Sequence, residues 1–184
     1  KDVQSIPELQ VLPDLLKIIS ASSEWSERKR ALSALTDLVI SYATVLRSSG
    51  KYEKCVDRII EKLEDASVKV SVHAIACLDR IHSSIPKALA SMHVVFLRSI
   101  LLSSSSNSRQ LSTPGANLLE KFLKDTPVTS IMTHIAAIAT HEKDRLRTCA
   151  YKVITKELPK YVDGQCFRKN GWPMLLKEWV AGGF

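Results

Sequence analysis

His134 and His141 lie seven residues apart, a spacing that sets two imidazoles on one face of an uninterrupted helix, and imidazole pairs are what zinc sites are built from. A third ligand is not offered nearby. Cys55, Cys77, Cys149 and Cys166 show no C-x-x-C spacing, so no metal site and no cofactor is expected. Ser, His and Asp occur along the chain, but there is no G-x-S-x-G elbow, no glycine-rich phosphate loop and no H-E-x-x-H motif to bring them together. His73 reads as an ordinary exposed or satisfied histidine on its helix. The chain is read as non-catalytic.

What the residue types support instead is contact chemistry. The stretch SEWSERKRAL (23–32) places Trp25 among charged residues at the mouth of a helix whose apolar face begins only at Ala31 and Leu32. An indole there either caps an end or meets a partner. Further along, Val68 and Lys69, then Arg109, then Lys143 and Arg145 fall in or beside the turns expected between helices at 20–25, 64–69, 103–112 and 140–145. An aromatic anchor followed by cations suits an acidic protein surface, with the Trp as desolvated contact and the cations steering encounter.

The elements that would align these groups are helices. Apolar residues recur every three to four positions, predicting helices over 13–20, 25–48, 52–64, 67–83, 91–103, 114–124, 128–140, 143–157 and 172–181, with no strand. Ala31, Ala74, Ala116 and Ala150 mark the middle of the second helix of each pair, at steps of 43, 42 and 34 residues. A small residue in mid-helix lets a partner helix come close, and a period near 40 is that of HEAT and armadillo arrays. Within 64–81, Val68, Val72, Ile75 and Leu78 form one apolar line and Val70, Ala74, Cys77 and Ile81 a second, so this helix should be covered on most sides. The expectation is an all-α chain, an α-solenoid of about four to five HEAT-like hairpins over 10–160, with 161–184 as a capping loop and helix.

Two segments interrupt the rhythm. The serine-rich run 103–115 reads as a solvated loop, ending in an N-cap at Ser112 or Thr113 with Pro114 in the first turn. Beyond 163, Trp172, Leu175, Leu176 and Trp179 share one face of a last helix, expected to cover the open end of the array.

The composition agrees with a folded helical chain: 184 residues, 45% apolar and 24% charged, with 6% aromatics, 6 Gly and 7 Pro. The net charge is +7, and it is uneven: residues 1–90 hold 13 Lys+Arg against 12 Asp+Glu, residues 91–184 hold 13 against 7. Such a field favours an acidic partner. Nucleic acid is not expected, because no stacking aromatics interleave the cations and no binding-module motif appears. Without a run of 18 apolar residues or an apolar leader, neither membrane spanning nor secretion is expected, and the cysteine usage suggests a reducing compartment.

The Trp25 turn, followed by Arg28 and the Ala31-Leu32 core step, resembles the first repeat of TOG domains, the HEAT-repeat modules of tubulin-binding microtubule regulators. The turn running from Asp65 to Val68, Lys69 and Val70 is similar to the second-repeat turn, a pattern shared by HEAT proteins at large. The resemblance covers about residues 10–160; among TOG groups it is most similar to the Crescerin-type array proteins of ciliary axonemes, and less closely to the CLASP type. It implies that Trp25 inserts against αβ-tubulin, that Val68 and Lys69 touch it from the second turn, that Lys143, Arg145 or Arg147 pair with its acids, and that Arg28 braces the Trp turn. With Arg109, these are the candidate tubulin-binding residues. A cytoplasmic, cytoskeletal setting, including the ciliary axoneme, and a monomeric domain of a larger protein are the corresponding expectations. The sequence departs from the family in length, with about four and a half repeats where TOG domains usually hold about six. The alternative expectation is a TOG-like HEAT scaffold that binds a helix or acidic segment of another protein, along its groove or through the Trp172 and Trp179 face, without affinity for tubulin.

Overall fold

A computed structural model describes residues 6–85, 87–141 and 144–157. Among these residues every regular element is helical. After a 3-10 turn at Pro7–Leu9 come α1 (Leu12–Ala21), α2 (Trp25–Ser41), α3 (Ala43–Ser48), α4 (Tyr52–Glu61), α5 (Val68–Ser84), α6 (His93–Ser104), α7 (Arg109–Asp125), α8 (Val128–His141) and α9 (Asp144–Lys152), closing in a π-helical turn at Val153–Glu157. The expected helix at 172–181, with Trp172 and Trp179, lies outside the described residues.

Four hairpins stack in order. α1 pairs with α2, α4 with α5, α6 with α7 and α8 with α9; α1, α4, α6 and α8 neighbour one another in one layer, while α2, α5 and α7 do so in the second. This is an α-solenoid. One apolar core runs through it, from Leu12, Leu32 and Leu35 through Ile59, Ile75 and Leu78 to Phe96, Phe122, Ile135 and Ala150, each buried. The doubled apolar surface read on α5 is there: Val70, Ala74, Ile75, Cys77, Leu78 and Ile81 are buried, because the helix has neighbours in its own hairpin and in both flanking ones. Val68 stays outside.

Three features differ from the sequence expectation. The helix expected over 25–48 breaks at Tyr42, which leaves helical geometry (φ −119°, ψ 25°). The short α3 that follows turns Leu46 into the core, and it ends in a Schellman closure: Lys51 N–H donates to Leu46 O, and Gly50 N–H to Arg47 O. Gly50 sits at φ +65°, a conformation glycine adopts at little steric cost. The second repeat thereby has three helices, α3, α4 and α5.

The segment 103–115 is mostly helix. α6 continues to Ser104, the turn is short, and α7 begins at Arg109, not at Pro114. The Ser108 carbonyl accepts from the N–H groups of both Leu111 and Ser112, and Leu111 packs against the core, which holds the first turn although Pro114 removes one ladder bond.

The third difference concerns the small residue of that hairpin. Ala116 is exposed, and the close approach is made by its neighbour Gly115, where an added Cβ would stand 3.0 Å from Ser104 N and 3.2 Å from Ser103 C. Those atoms are backbone and cannot swing aside. We expect Gly115→Val to lower stability by about 2 kcal/mol through overpacking, and Ala116→Val to change it by less than about 0.5 kcal/mol. Thermal unfolding of the two variants, followed by circular dichroism, compares them directly; equal losses would contradict the close approach.

The fourth hairpin is set differently. α9 packs on α6 and α8, and a cavity of about 330 Å³ lies between Cys149, Lys152 and Val153 on its side and Ala116, Leu119 and Leu123 of α7. The shorter step of 34 residues from Ala116 to Ala150 is the sequence counterpart of this shift.

Candidate protein-binding edge

The second-layer helices run parallel, and their cross-links give the register. Arg80 Nη2 donates to Asp37 Oδ1 at 2.8 Å, and Ser33 Oγ meets His73 Nε2 at 2.7 Å, so α5 follows α2 with an offset of 40 to 43 residues. Lys121 Nζ reaches Asp79 Oδ1 at 2.6 Å, and His82 Nε2 lies 3.1 Å from Asp125 Oδ2, which gives α7 an offset of 42 to 43 from α5. Parallel helices whose offsets stay within about one turn bring their starts to one edge. Trp25, Val68 and Arg109, the first residues of α2, α5 and α7, therefore share that edge.

At its head, Lys69 Nζ stands over the Trp25 ring, 4.3 Å from the centroid. The indole remains 39% exposed and Val68, the residue before Lys69, 41%, so the ring is not a buried side chain. A cation over an exposed aromatic face is worth about 0.5–1 kcal/mol, enough to bias the ring's orientation but not to lock it.

Arg28 braces this turn. Its Nη1 donates to the carbonyls of Ser22 and Ser23 at 2.8 and 2.9 Å, while Nε and Nη2 make a paired contact with Asp65 at 3.1 and 2.8 Å. Asp65 also accepts from Ser67 N–H at 2.9 Å and faces Lys62 at 3.4 Å. The pair is well shielded, with 11% of the Arg28 side chain and 4% of the Asp65 side chain exposed. Burial raises the Asp65 carboxyl, but the bonds from Arg28 and Ser67 and the charges of Arg28 and Lys62 outweigh it and hold it below the usual carboxylate range. One guanidinium thus ties the turn before α2 to the turn before α5.

Of the remaining candidates, Arg109 is exposed at the start of α7 and Arg147 is exposed on α9. Arg145 belongs to the first turn of α9, and Lys143 lies outside the described residues. Of the two histidines weighed as a metal pair, the His141 side chain lies outside what is described, and His134 packs its ring 4.6 Å from that of His93. Among the described residues no group of three or more His, Cys, Asp or Glu could hold a metal ion, and no helix is long and apolar enough to cross a membrane. Cys55, Cys77 and Cys149 are free and buried; burial pushes the Cys55 thiol up to about 11 and raises that of Cys77, which leaves both unreactive.

Sequence reading took Asp65 only as the start of the second-repeat turn and passed over Ser33; His73, read as exposed or satisfied, is satisfied by Ser33. The signal that could have found these partners is the repeat period: Arg28 and Asp65 are 37 residues apart, Ser33 and His73 are 40.

No protein-family model and no curated protein matches this chain. Among solved structures it is similar to a designed armadillo repeat protein, with a TM-score of 0.55 and 14% sequence identity over 97% of this chain and 83% of that one. At that identity the likeness is one of fold, and the fold it shares is a solenoid of helical repeats.

Proposed function

We propose that this chain is a non-catalytic protein-binding module, and that its partner is αβ-tubulin, engaged through the edge headed by Trp25. The observation that carries this reading is the exposed Trp25 ring with Val68 and Lys69 beside it, at one end of an aligned row that continues to Arg109. A solenoid offers such a row because residues distant in sequence emerge at equal intervals along one side. An exposed indole that becomes desolvated against a partner is the usual energetic centre of an interface, and cations around it set register and encounter rate. The resemblance of the Trp25, Arg28, Ala31 and Leu32 layout to TOG first repeats supports tubulin as the particular acidic partner. Lys69 adapts to this use, since it can leave the indole face for a carboxylate at a cost of no more than about 1 kcal/mol.

The test is co-elution with αβ-tubulin by size exclusion, followed by titration. Trp25→Glu is expected to weaken association by on the order of thirtyfold, the loss of one hot-spot residue. Fold should be untouched, because the side chain is exposed and an acid suits the first turn of a helix. Equal association of wild type and variant would overturn the reading.

A further inference from the structure

Inward from Trp25, the seam between α2 and α5 changes character. The offset of 44 residues that sets Lys69 over Trp25 also sets Lys29 level with His73, and Ser33, one turn on, bonds His73 Nε2 at 2.7 Å. One further turn on, Asp37 and Arg80 close the row against each other at 2.8 Å. The neighbouring acids are already engaged: Asp37 by Arg80, Asp65 by Arg28 and Lys62, and Asp79 by Lys121 of α7 on the opposite side of α5. Among the described residues, neither Lys29 nor Lys69 has a carboxylate partner. Two lysines, a histidine and a hydroxyl therefore line one strip with no anion between them.

The geometry points to a carboxylate seat at Lys29, Ser33 and His73, which receives an acidic side chain of an extended protein segment laid along the α2–α5 seam from Trp25 inward. The occupant is an acidic peptide segment by charge complementarity: Lys69 and Lys29 stand four residues before His73 and Ser33 on their respective helices, so successive carboxylates of one strand find successive cations. It rests on the reading that this edge faces a protein partner, but not on that partner being tubulin.

Proton linkage follows from the same arrangement. Burial, and then the charges of Lys29 and Arg80, hold His73 below the ordinary histidine value, so its ring is neutral in the free protein near pH 7. A carboxylate seated between Lys29 and His73 favours the imidazolium, so binding takes up a proton. Affinity should therefore rise as pH falls, by roughly tenfold for each unit by which the seated carboxylate raises His73.

The experiment uses a fluorescein-labelled octaglutamate peptide at low salt, with anisotropy titrations at pH 6.0 and 7.5. Wild type is expected to bind about tenfold tighter at pH 6.0, and His73→Gln, which keeps a hydrogen-bonding group toward Ser33, to lose that difference. Lys29→Gln should weaken binding about tenfold at both pH values, while Lys54→Gln, the same change of charge on α4, should stay within about twofold. In the proton NMR titration of wild type, the His73 midpoint should move up when peptide is added. Equal effects of Lys29→Gln and Lys54→Gln, an unchanged pH difference in His73→Gln, or an unmoved His73 midpoint would each overturn the seat. Loss of tubulin co-elution in Trp25→Glu with none of these peptide effects leaves the edge and removes the seat. Peptide effects without tubulin association leave the seat and remove tubulin as the partner.

Discussion

Asp65→Ala is expected to lower the unfolding free energy by about 3 kcal/mol at pH 7, measured by urea denaturation. The carboxylate is the common partner of Arg28, Lys62 and the Ser67 amide, and it is nearly enclosed. Removing it leaves the Arg28 guanidinium shielded from water with only the Ser22 and Ser23 carbonyls for company, and an uncompensated charge in such a place costs more than the pair contributed. Arg28→Met should cost less, because Asp65 would keep Lys62 and the Ser67 amide. The pH dependence has a definite sign. The folded-state pKa of Asp65 lies below its unfolded value, so its contribution is complete above about pH 4 and fades as pH falls through the folded value. Wild type and Asp65→Ala should therefore converge in stability at strongly acid pH. A gap that persists there would mean that packing, not charge, carries the contribution of Asp65. Because Arg28 also holds the turn that presents Trp25, the same variant should weaken partner binding without altering any exposed residue of the edge.

That coupling bears on how much could be read from sequence. Helix periodicity is a local property, and it located the helices because each must bury a stripe at 3.6-residue spacing whatever its neighbours do. The stacking order was legible for a similar reason: Ala31, Ala74 and Ala150 are buried where helices cross, and only close packing calls for a small residue there. The third hairpin misled because Gly115 and Ala116 are adjacent small residues, and which one faces α6 depends on where α7 starts. That start was misplaced by five residues, since Pro114 and the serines resemble a loop and a first turn, whereas Leu111 is drawn to the core. The break at Tyr42 was invisible on the same account, because the run from Leu38 to Leu46 satisfies the helical period while the direction of the core changes. Trp25, Val68 and Lys69 could be placed on one edge from the period alone. Their closeness at atomic scale could not, nor could the Ser33–His73 and Arg28–Asp65 links, because these depend on an offset between helices that shifts by several residues from pair to pair.

Phe122→Ala should have the larger effect on the fold, about 4 kcal/mol, and should divide the array. The ring is 1% exposed, stands 4.8 Å from Phe96 at 55° between planes, and lies 6.2 Å from His82, so it joins α7 to both α6 and α5. In a solenoid, stability is a sum of hairpin terms and nearest-neighbour junctions, so a loss at one junction is not shared by the others. The links that would remain between the second and third hairpins include Asp79–Lys121 and His82–Asp125, in each of which one partner, Lys121 or Asp125, is more than half exposed, and such pairs contribute about 0–1 kcal/mol each. They cannot replace the aromatic contact. We therefore expect α6 to α9 to open before α1 to α5, giving two steps in urea where wild type gives a tighter transition. Hydrogen exchange should show lost protection in α8 and α9 with α2 retained. A single transition, with protection lost evenly from α2 to α9, would mean that the hairpins fold as one cooperative unit and that the junction at Phe122 is not its weak point. The same measurement isolates the edge. If α2 and α5 remain folded in the variant, the Trp25 to His73 strip is intact, and octaglutamate binding should survive the opening of the later hairpins.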